Sequence, residues 1–192
     1  GAKSVLSVGY NYFCGKNSIN ENFKIARFSQ GDDYHKVIRK KLKNIGKWIE
    51  NEIPNCKWKI CVDTSPLLEK AWAEESGLGW IGKNSTLINK KYGSWLLLGF
   101  LIIDQELNPD KPYKALCGQC EKCIEKCPTN AITEPFVVNS KLCIAYHTIE
   151  NRNKTIPLDI KSKLNGWVAG CDICQNVCPW NQSVPENNDK EV

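Results

Sequence analysis

Cysteine spacing constrains this 192-residue chain more than any other feature, because eight of its eleven cysteines lie in two short runs and at one position between them. The first run is Cys117-x-x-Cys120-x-x-Cys123-x-x-x-Cys127-Pro128. Bacterial two-cluster proteins bind 4Fe-4S clusters with this spacing, and the fourth cysteine of a run binds the other cluster. The second run, Cys171-x-x-Cys174-x-x-x-Cys178-Pro179, is one cysteine short, and Cys143 can supply it. Eight thiolates complete two four-cysteine sites, so the sequence predicts two 4Fe-4S clusters and one-electron chemistry.

Crossed ligation divides these cysteines into two sets of four. Two residues between cysteines let a tight turn present successive sulfur atoms to one cluster, while the fourth cysteine opens a helix that leads to the other. One predicted set is Cys117, Cys120, Cys123 and Cys178, and the other is Cys127, Cys143, Cys171 and Cys174. Structural zinc also uses thiolates, but a C-x-x-C-x-x-C triple suits tetrahedral zinc poorly. The remaining Cys14, Cys56 and Cys61 lack ligand spacing and are predicted to be thiols of the core.

Cysteine usage and hydropathy also bear on location. Closely spaced C-x-x-C series indicate metal sites in a reducing compartment, which favours the cytoplasm. No apolar run reaches the roughly 18–20 residues of a membrane span, so we expect no membrane partner. The net charge of +5 suits RNA or an acidic redox protein without deciding between them. The chain has no methionine, even at position 1, so we expect a fragment of a longer protein.

Periodicity predicts an α/β domain over residues 1–110. Strands are predicted over Ser4 to Tyr10, Trp58 to Asp63 and Tyr92 to Asp104, and helices over His35 to Ile53 and Leu67 to Ser76. A proline-marked linker near 108–112 leads to a cluster domain over 111–181, followed by a polar, frayed tail over 182–192. The first helix carries Arg39, Lys40, Lys43 and Lys47 on its polar face. Those charges are either a solvated basic face or a contact for nucleic acid.

Asp63 lies where a predicted strand ends and a helix begins. Such junctions face clefts, but an aspartate there can also do no more than cap the helix. The Thr64-Ser65-Pro66 sequence after it is predicted to supply a helix cap and a first-turn proline. The segment Gly77–Ser85 contains three glycines, which permit either close approach to a flat ligand or a tight loop that packs Trp80 into the core. Its spacing is not G-x-G-x-x-G after a strand, so no dinucleotide site is predicted.

Three blocks besides the cysteine runs carry a family resemblance. They are Val62-Asp63-Thr64-Ser65-Pro66-Leu67-Leu68-Glu69, Gly77-Leu78-Gly79-Trp80-Ile81-Gly82-Lys83-Asn84 and Cys143-Ile144-Ala145-Tyr146-His147-Thr148-Ile149-Glu150. Together with the cysteines, they resemble the epoxyqueuosine reductase family. The resemblance implies an α+β protein with a nitroreductase-like, cobalamin-binding domain over 1–110 and a ferredoxin-like domain with two 4Fe-4S clusters over 111–181. The implied reaction is reduction of epoxyqueuosine to queuosine at the wobble position of tRNA.

The same resemblance implies roles for individual residues. Asp63 would donate the proton to the departing oxygen and lie beside cobalamin, with His147 as a second candidate acid. The residues bordering the corrin would be Lys83, Asn84, Ser85, Leu87 and Ala145, and those contacting RNA would be Arg152 and Lys154. The implied partners are the tRNA anticodon loop and an external low-potential electron donor such as ferredoxin or flavodoxin, with the chain acting as a monomer.

Two other functions stay open at this point. A different corrinoid enzyme, such as one resembling reductive dehalogenases, would share the clusters and the cofactor. A plain two-cluster electron carrier would need only the cysteine-bearing part, and residues 1–110 count against it.

Overall fold

The computed structural model describes residues 1–15, 23–153 and 155–189. The strands are β1 (Ser4–Asn11), β2 (Lys24–Ile25), β3 (Trp58–Cys61), β4 (Trp80–Ile81), β5 (Leu87–Ile88), β6 (Leu96–Ile103), β7 (Ile132–Glu134), β8 (Val137–Val138) and β9 (Trp167–Ala169). The helices are α1 (Tyr34–Glu52), α2 (Glu69–Glu75), α3 (Lys122–Glu125), α4 (Leu158–Lys161) and α5 (Ile173–Asn176), with a π-helical turn at Tyr146–Glu150. Among these described helices, none is long and apolar enough to cross a membrane.

The main sheet consists of β1, β6 and β3 in that order, and both strand pairs are antiparallel. Helix α1 packs on it through a core that includes Ile38, Leu42 and Leu101. Asp33 begins the helix, because its side chain accepts the backbone N–H of His35. The predicted first helix and the three predicted strands are confirmed, with the last strand starting later than expected.

The second helix differs from its prediction. It spans Glu69–Glu75, and Leu68 precedes it with no side-chain cap. The predicted capping role of Thr64-Ser65-Pro66 is therefore wrong. The physical reason is that the carboxylate of Glu69 turns back to accept the backbone N–H of Asp63, which holds the preceding loop in an irregular conformation.

Two segments pack away from their neighbours in sequence. One precedes α1 and packs in the cysteine-bearing region (residues 111–181), and the other follows that region and packs on the main sheet, which belongs to the sheet region (residues 1–110). Strand β2 pairs in parallel with β9, and Ala26 packs beside Trp167 in the core of the cysteine-bearing region. In return, residues 182–189 run back along β1, where Val184 joins the core of the sheet and the N–H of Asn187 bonds the carbonyl of Phe13 at 2.6 Å. The expected fraying of the tail is wrong for residues 182–189, because its polar groups bond the edge of β1. Each region thus includes a segment from elsewhere in the chain, and the division at residues 110 and 181 stays a prediction.

Candidate metal centres and candidate active site

One set of predicted cluster ligands surrounds a single cavity. Cys117 and Cys120 precede α3, Cys123 lies in it, and Cys178 follows α5. The backbone N–H of Cys120 bonds the carbonyl of Cys117 at 3.1 Å and closes the tight turn between them. Three thiols that are close in sequence and a fourth from 55 positions later thereby surround one space.

The second set surrounds a neighbouring cavity. Its thiols belong to Cys127, Cys143, Cys171 and Cys174. Asn84 lines both cavities, so its side chain lies between them. The structure brings the cysteines together in the two groups that crossed ligation requires, and their assignment as ligands stays a prediction.

Burial and hydrogen bonds shift the pKa of three of these thiols, in different directions. It raises the pKa of Cys171 and of Cys174 to about 12. For Cys127 burial is outweighed by hydrogen bonds from Thr129 and from the N–H of Ala131, which lower its pKa. No three His, Cys, Asp or Glu side chains among the described residues converge as a single metal ion requires. The thiols encircle cavities instead, an arrangement suited to a metal cluster, which binds thiolates and releases their protons.

Asn84 provides a direct test of whether the cavities fit a cluster. Its side chain is 6% exposed, and among the described residues its Nδ2 has no oxygen or nitrogen partner and faces only the thiol of Cys174, a weak acceptor. Its Oδ1 accepts from the N–H and the hydroxyl of Thr86 at 3.3 and 2.8 Å, which fixes the amide. An unsatisfied buried donor costs roughly 1–3 kcal/mol, and sulfur atoms of a cluster would satisfy it. The residues present therefore fit 4Fe-4S clusters.

Buried polar contacts tie the cysteine loops to the rest of the chain. Asp172, between two cysteines of the second run, is 1% exposed and its Oδ2 lies 3.1 Å from Nη1 of Arg27. Asn181 accepts the N–H of Ser94 at 2.7 Å and donates to its hydroxyl at 2.8 Å. Gln175 donates to the carbonyl of Ser94 at 3.0 Å. Sequence reasoning missed these contacts, because they join residues up to 145 positions apart and leave no local pattern.

Asp63 occupies a strained position where three elements meet. It follows β3 with a left-handed φ of 53°. Its N–H donates to Oε1 of Glu69 in α2 at 2.6 Å, and its Oδ2 lies 3.2 Å from Nε2 of His35 in α1. The side chain is 54% exposed. Strain at a non-glycine residue often marks a functional site. His35 is a site residue that the sequence did not reveal.

Ser85 lies in a second strained loop that is joined to the Asp63 loop. Its φ is 59°, and its carbonyl accepts from Nζ of Lys70 at 2.7 Å. Lys70 directly follows Glu69, which holds the backbone of Asp63. Since Asn84 precedes Ser85, the loop that lines the cysteine cavities is continuous with the loop that meets the Asp63 junction.

The other predicted corrin neighbours lie in different surroundings. Ala145 is partly exposed just before the π-helical turn. Leu87 is 5% exposed in the core beside Phe100, so only its backbone is free to meet a cofactor. Lys83 is 9% exposed and lines the first cysteine cavity, where Nζ lies 3.7 Å from Glu121 Oε1. The side chains of Leu87 and Lys83 thus face the interior rather than an open surface.

The predicted RNA contacts, the second candidate acid and the basic face of the first helix lie in different environments. Arg152 is exposed, and Lys154 lies outside the described residues. His147 is engaged in the fold, because its Nε2 donates to the carbonyl of Lys141 at 2.7 Å. On the basic face, Arg39 donates to the carbonyl of Val62 at 3.3 Å.

The three leftover thiols were predicted to be buried. Cys56 and Cys61 are buried as predicted, but Cys14 is exposed, so the core prediction is wrong for that thiol. Cys61 ends β3 inside the sheet, whereas Cys14 lies beyond the end of β1, where none of the described strands covers it.

Comparison with known proteins identifies the family. Residues 1–64 match the family model described as "Epoxyqueuosine reductase QueG, DUF1730". The epoxyqueuosine reductase of Prochlorococcus marinus (strain NATL2A) is 55% identical over 193 residues, which cover 100% of this chain and 62% of the relative. The chain belongs to the epoxyqueuosine reductase family. It spans about three fifths of that relative's length.

Two solved epoxyqueuosine reductases share the fold. A selenomethionine-labelled one has a TM-score of 0.91 and 30% identity over 99% of this chain and 52% of its own. Another, solved with an epoxyqueuosine-modified tRNA-Tyr stem loop, has a TM-score of 0.90 and 30% identity over the same shares. Residues 116–181 also match the model of a "4Fe-4S double cluster binding domain". The predicted family, the mixed α and β fold and the iron–sulfur domain are therefore confirmed.

Proposed function

We propose that this chain carries out the reduction of epoxyqueuosine to queuosine at the wobble position of tRNA. One observation carries the proposal: a single loop links the two cysteine cavities to the Asp63 junction. Asn84 lines both cavities, and the next residue, Ser85, is joined through Lys70 to the segment that holds Asp63. A source of electrons and a source of protons are thus connected through a few residues, as a reductase requires.

In this proposal each cavity holds one 4Fe-4S cluster. Support comes from the four cysteines around each cavity and from the amide of Asn84, whose Nδ2 faces the thiol of Cys174 and has no stronger acceptor among the described residues. Hydrogen bonds to cluster sulfur atoms raise the reduction potential, because they stabilise the more negative reduced state. A donor shared between the cavities would stabilise either cluster when it receives an electron.

Replacing Asn84 by alanine is expected to lower a cluster potential by roughly 40 mV, the one-electron equivalent of about 1 kcal/mol for a lost hydrogen bond. The measurement is a potentiometric titration followed by electron paramagnetic resonance. Thr86→Val is the matched control, since it removes a bond to Oδ1 of Asn84 and leaves Nδ2 in place. Unchanged potentials in Asn84→Ala would contradict the role of the amide.

Cobalamin is the proposed second cofactor. The strained backbone of Asp63 and Ser85 and the partly exposed Ala145 would hold it, while Lys83 and Leu87 would contribute at most backbone contacts. When bound, the cofactor supplies a cobalt centre that accumulates electrons delivered one at a time. The residues of the chain must then orient the substrate and control its protons.

The proposed reaction converts an epoxide to an alkene, which takes up two electrons and two protons and releases the oxygen as water. An alkoxide leaves poorly, so a positioned acid is needed. Asp63 is the proposed acid, because its carboxyl group is open to the surface at a junction of three elements. His147 is less suited, since its Nε2–H is committed to a backbone carbonyl.

tRNA is the proposed substrate and an external low-potential ferredoxin or flavodoxin the proposed donor, with the chain acting as a monomer in the cytoplasm. The exposed Arg152 and the partly exposed turn at Tyr146–Glu150 support an RNA surface near Ala145. Phosphate contacts would make the affinity fall with salt. The modified base would have to swing out of the anticodon loop, as unpaired loops allow.

Anaerobic reconstitution tests this function. The chain is loaded with iron and sulfide, mixed with cobalamin and desalted, and its visible spectrum and iron content are measured. We expect about eight irons per chain for two clusters and retained corrin absorption. An epoxyqueuosine-containing stem loop and a chemical reductant should then yield the alkene product. Clusters without corrin or turnover would favour the plain electron carrier, and corrin without turnover of the RNA would favour another corrinoid reductase.

A further inference from the structure

His35 lies between two carboxylates. Its Nδ1 is 2.9 Å from Oδ1 of Asp33, and its Nε2 is 3.2 Å from Oδ2 of Asp63. The ring of Tyr34 stacks on the imidazole with centroids 4.0 Å apart. Asp33 also accepts the backbone N–H of His35 at 3.1 Å, so both the backbone and the ring are held by one carboxylate. The imidazole is thereby fixed with one nitrogen directed at Asp63.

A carboxyl group that acts as an acid near neutral pH needs a source of protons. Aspartate in water has a pKa of about 3.9 and is almost wholly ionised at pH 7. Burial is one way to keep a proton on a carboxyl group, but the side chain of Asp63 is 54% exposed. An imidazole, by contrast, titrates close to neutral pH and can hold a proton there.

Neighbouring charges favour the protonated form of this imidazole. Burial lowers the pKa of His35, but the hydrogen bonds and charges of Asp33 and Asp63 outweigh it and raise the pKa overall. Glu69 of α2 also faces the junction through the N–H of Asp63, and Lys36 lies 3.6 Å from Asp33. Tyr34, the remaining titratable neighbour, has its pKa raised chiefly by burial, so it stays neutral.

We propose that His35 supplies protons to Asp63, with Asp33 as the residue that orients it. When Asp63 gives its proton to the departing oxygen, the Nε2–H of the imidazolium passes to the carboxylate Oδ2. The other proton stays on Nδ1, which donates it to Oδ1 of Asp33, and this bond keeps the ring in one tautomer. Nε2 then takes a proton from water, which reaches a side chain that is 35% exposed. This step rests on the proposed function, and His35 acts through Asp63 without touching substrate.

A purely structural role would also explain the contact between His35 and Asp63, because it attaches the loop of Asp63 to α1. The two roles differ in what glutamine can replace. Glutamine at position 35 keeps a side-chain donor for Asp63 but has no titrating proton. If the role is only structural, His35→Gln should keep the activity, whereas loss of proton supply should lower it.

The first measurement follows the two histidines of the chain by proton NMR against pH, with the clusters loaded and oxidised. Asp63→Asn and Asp33→Asn each remove a carboxylate that raises the pKa of His35, so both should lower it. The signal of His147 is the internal control and should not respond. A pKa of His35 that is unchanged in both variants would overturn the proposal.

The second measurement is the single-turnover rate of stem-loop reduction against pH. We expect His35→Gln to lose about 10²-fold at neutral pH, the lower end of general-acid help. Added imidazole should restore part of the rate to His35→Ala. In the wild type the rate should fall as pH rises through the pKa of His35, and Asp33→Asn should move that fall to lower pH. Asp104→Asn, which alters a carboxylate outside the proposed sites, is the matched control and should keep the wild-type profile.

The two measurements separate the inference from the function beneath it. If the wild type turns over and His35→Gln has the same rate and pH profile, His35 does not supply protons to Asp63, and the proposed function stays intact. A wild-type chain with loaded cofactors but no turnover would overturn the proposed function, and with it the delivery of protons to this substrate. The NMR response would then still decide whether His35 and Asp63 share a proton.

Discussion

Asp63→Asn is expected to slow epoxide reduction by about 10²–10⁴-fold, the usual contribution of a positioned general acid. Asparagine has nearly the same shape and can still meet His35, but it carries no acidic proton. Iron content should not change, because the described contacts of Asp63 are with His35, Tyr34 and Glu69 rather than with the cysteine cavities. Corrin retention should not change either, because the proposed cofactor contact is made by the backbone of Asp63, which asparagine keeps. The measurement is the single-turnover rate with cofactor content determined on the same sample.

A matched control is Asp104→Asn. Asp104 also follows a strand of the main sheet, and its Oδ1 accepts the N–H of Lys57 at 2.9 Å, a bond that the asparagine oxygen can keep. We expect wild-type turnover in that variant. Normal turnover in Asp63→Asn would remove this carboxyl group from the mechanism, whatever the control shows.

Loss of Arg27 is expected to produce the largest change in stability. Its guanidinium is 10% exposed, lies 3.1 Å from the buried Asp172 and stacks on Trp95 with Cζ 4.6 Å from the ring centroid. Arg27→Ala would leave the carboxylate of Asp172 buried without its charged partner, which typically costs about 3–5 kcal/mol. Anaerobic denaturant unfolding of the cluster-loaded chain would measure this loss, and iron per chain would show whether the second cavity survives.

A double-mutant cycle with Asp172→Asn tests the reason for the loss. If the unpaired charge is the cause, Arg27→Ala should cost much less in the Asp172→Asn background. If Arg27→Ala alone lowers the free energy of unfolding by less than about 1 kcal/mol, the pair behaves like a surface ion pair. That result would contradict the explanation from the buried charge of Asp172.

The cysteine cavities were the most predictable part of the site. Cluster ligation requires fixed spacing between cysteines. The spacing within Cys117 to Cys127 and within Cys171 to Cys178 therefore predicted which cysteines surround each cavity. Helix α1 was equally predictable, because its apolar residues recur on one face. Both features depend on residues that are close together in the chain.

Contacts between distant residues could not be predicted in the same way. His35 meets Asp63 28 positions later, and Arg27 meets Asp172 145 positions later. Neither contact follows from periodicity, since each depends on how α1 and β2 are placed after the whole chain has folded. The polar composition of residues 182–189 was misleading for the same reason, because its hydrogen-bond partners lie on β1 at the other end of the chain.

The exchange of β2 and of residues 182–189 between the two regions has a consequence for how such a protein can evolve. A genetic crossover at any single breakpoint between residues 30 and 166 would separate β2 from its partner β9. The two regions are therefore expected to be inherited together rather than shuffled as modules. A chimaera with a relative should fold only when residues 23–30 accompany the cluster region and residues 182–189 accompany the sheet.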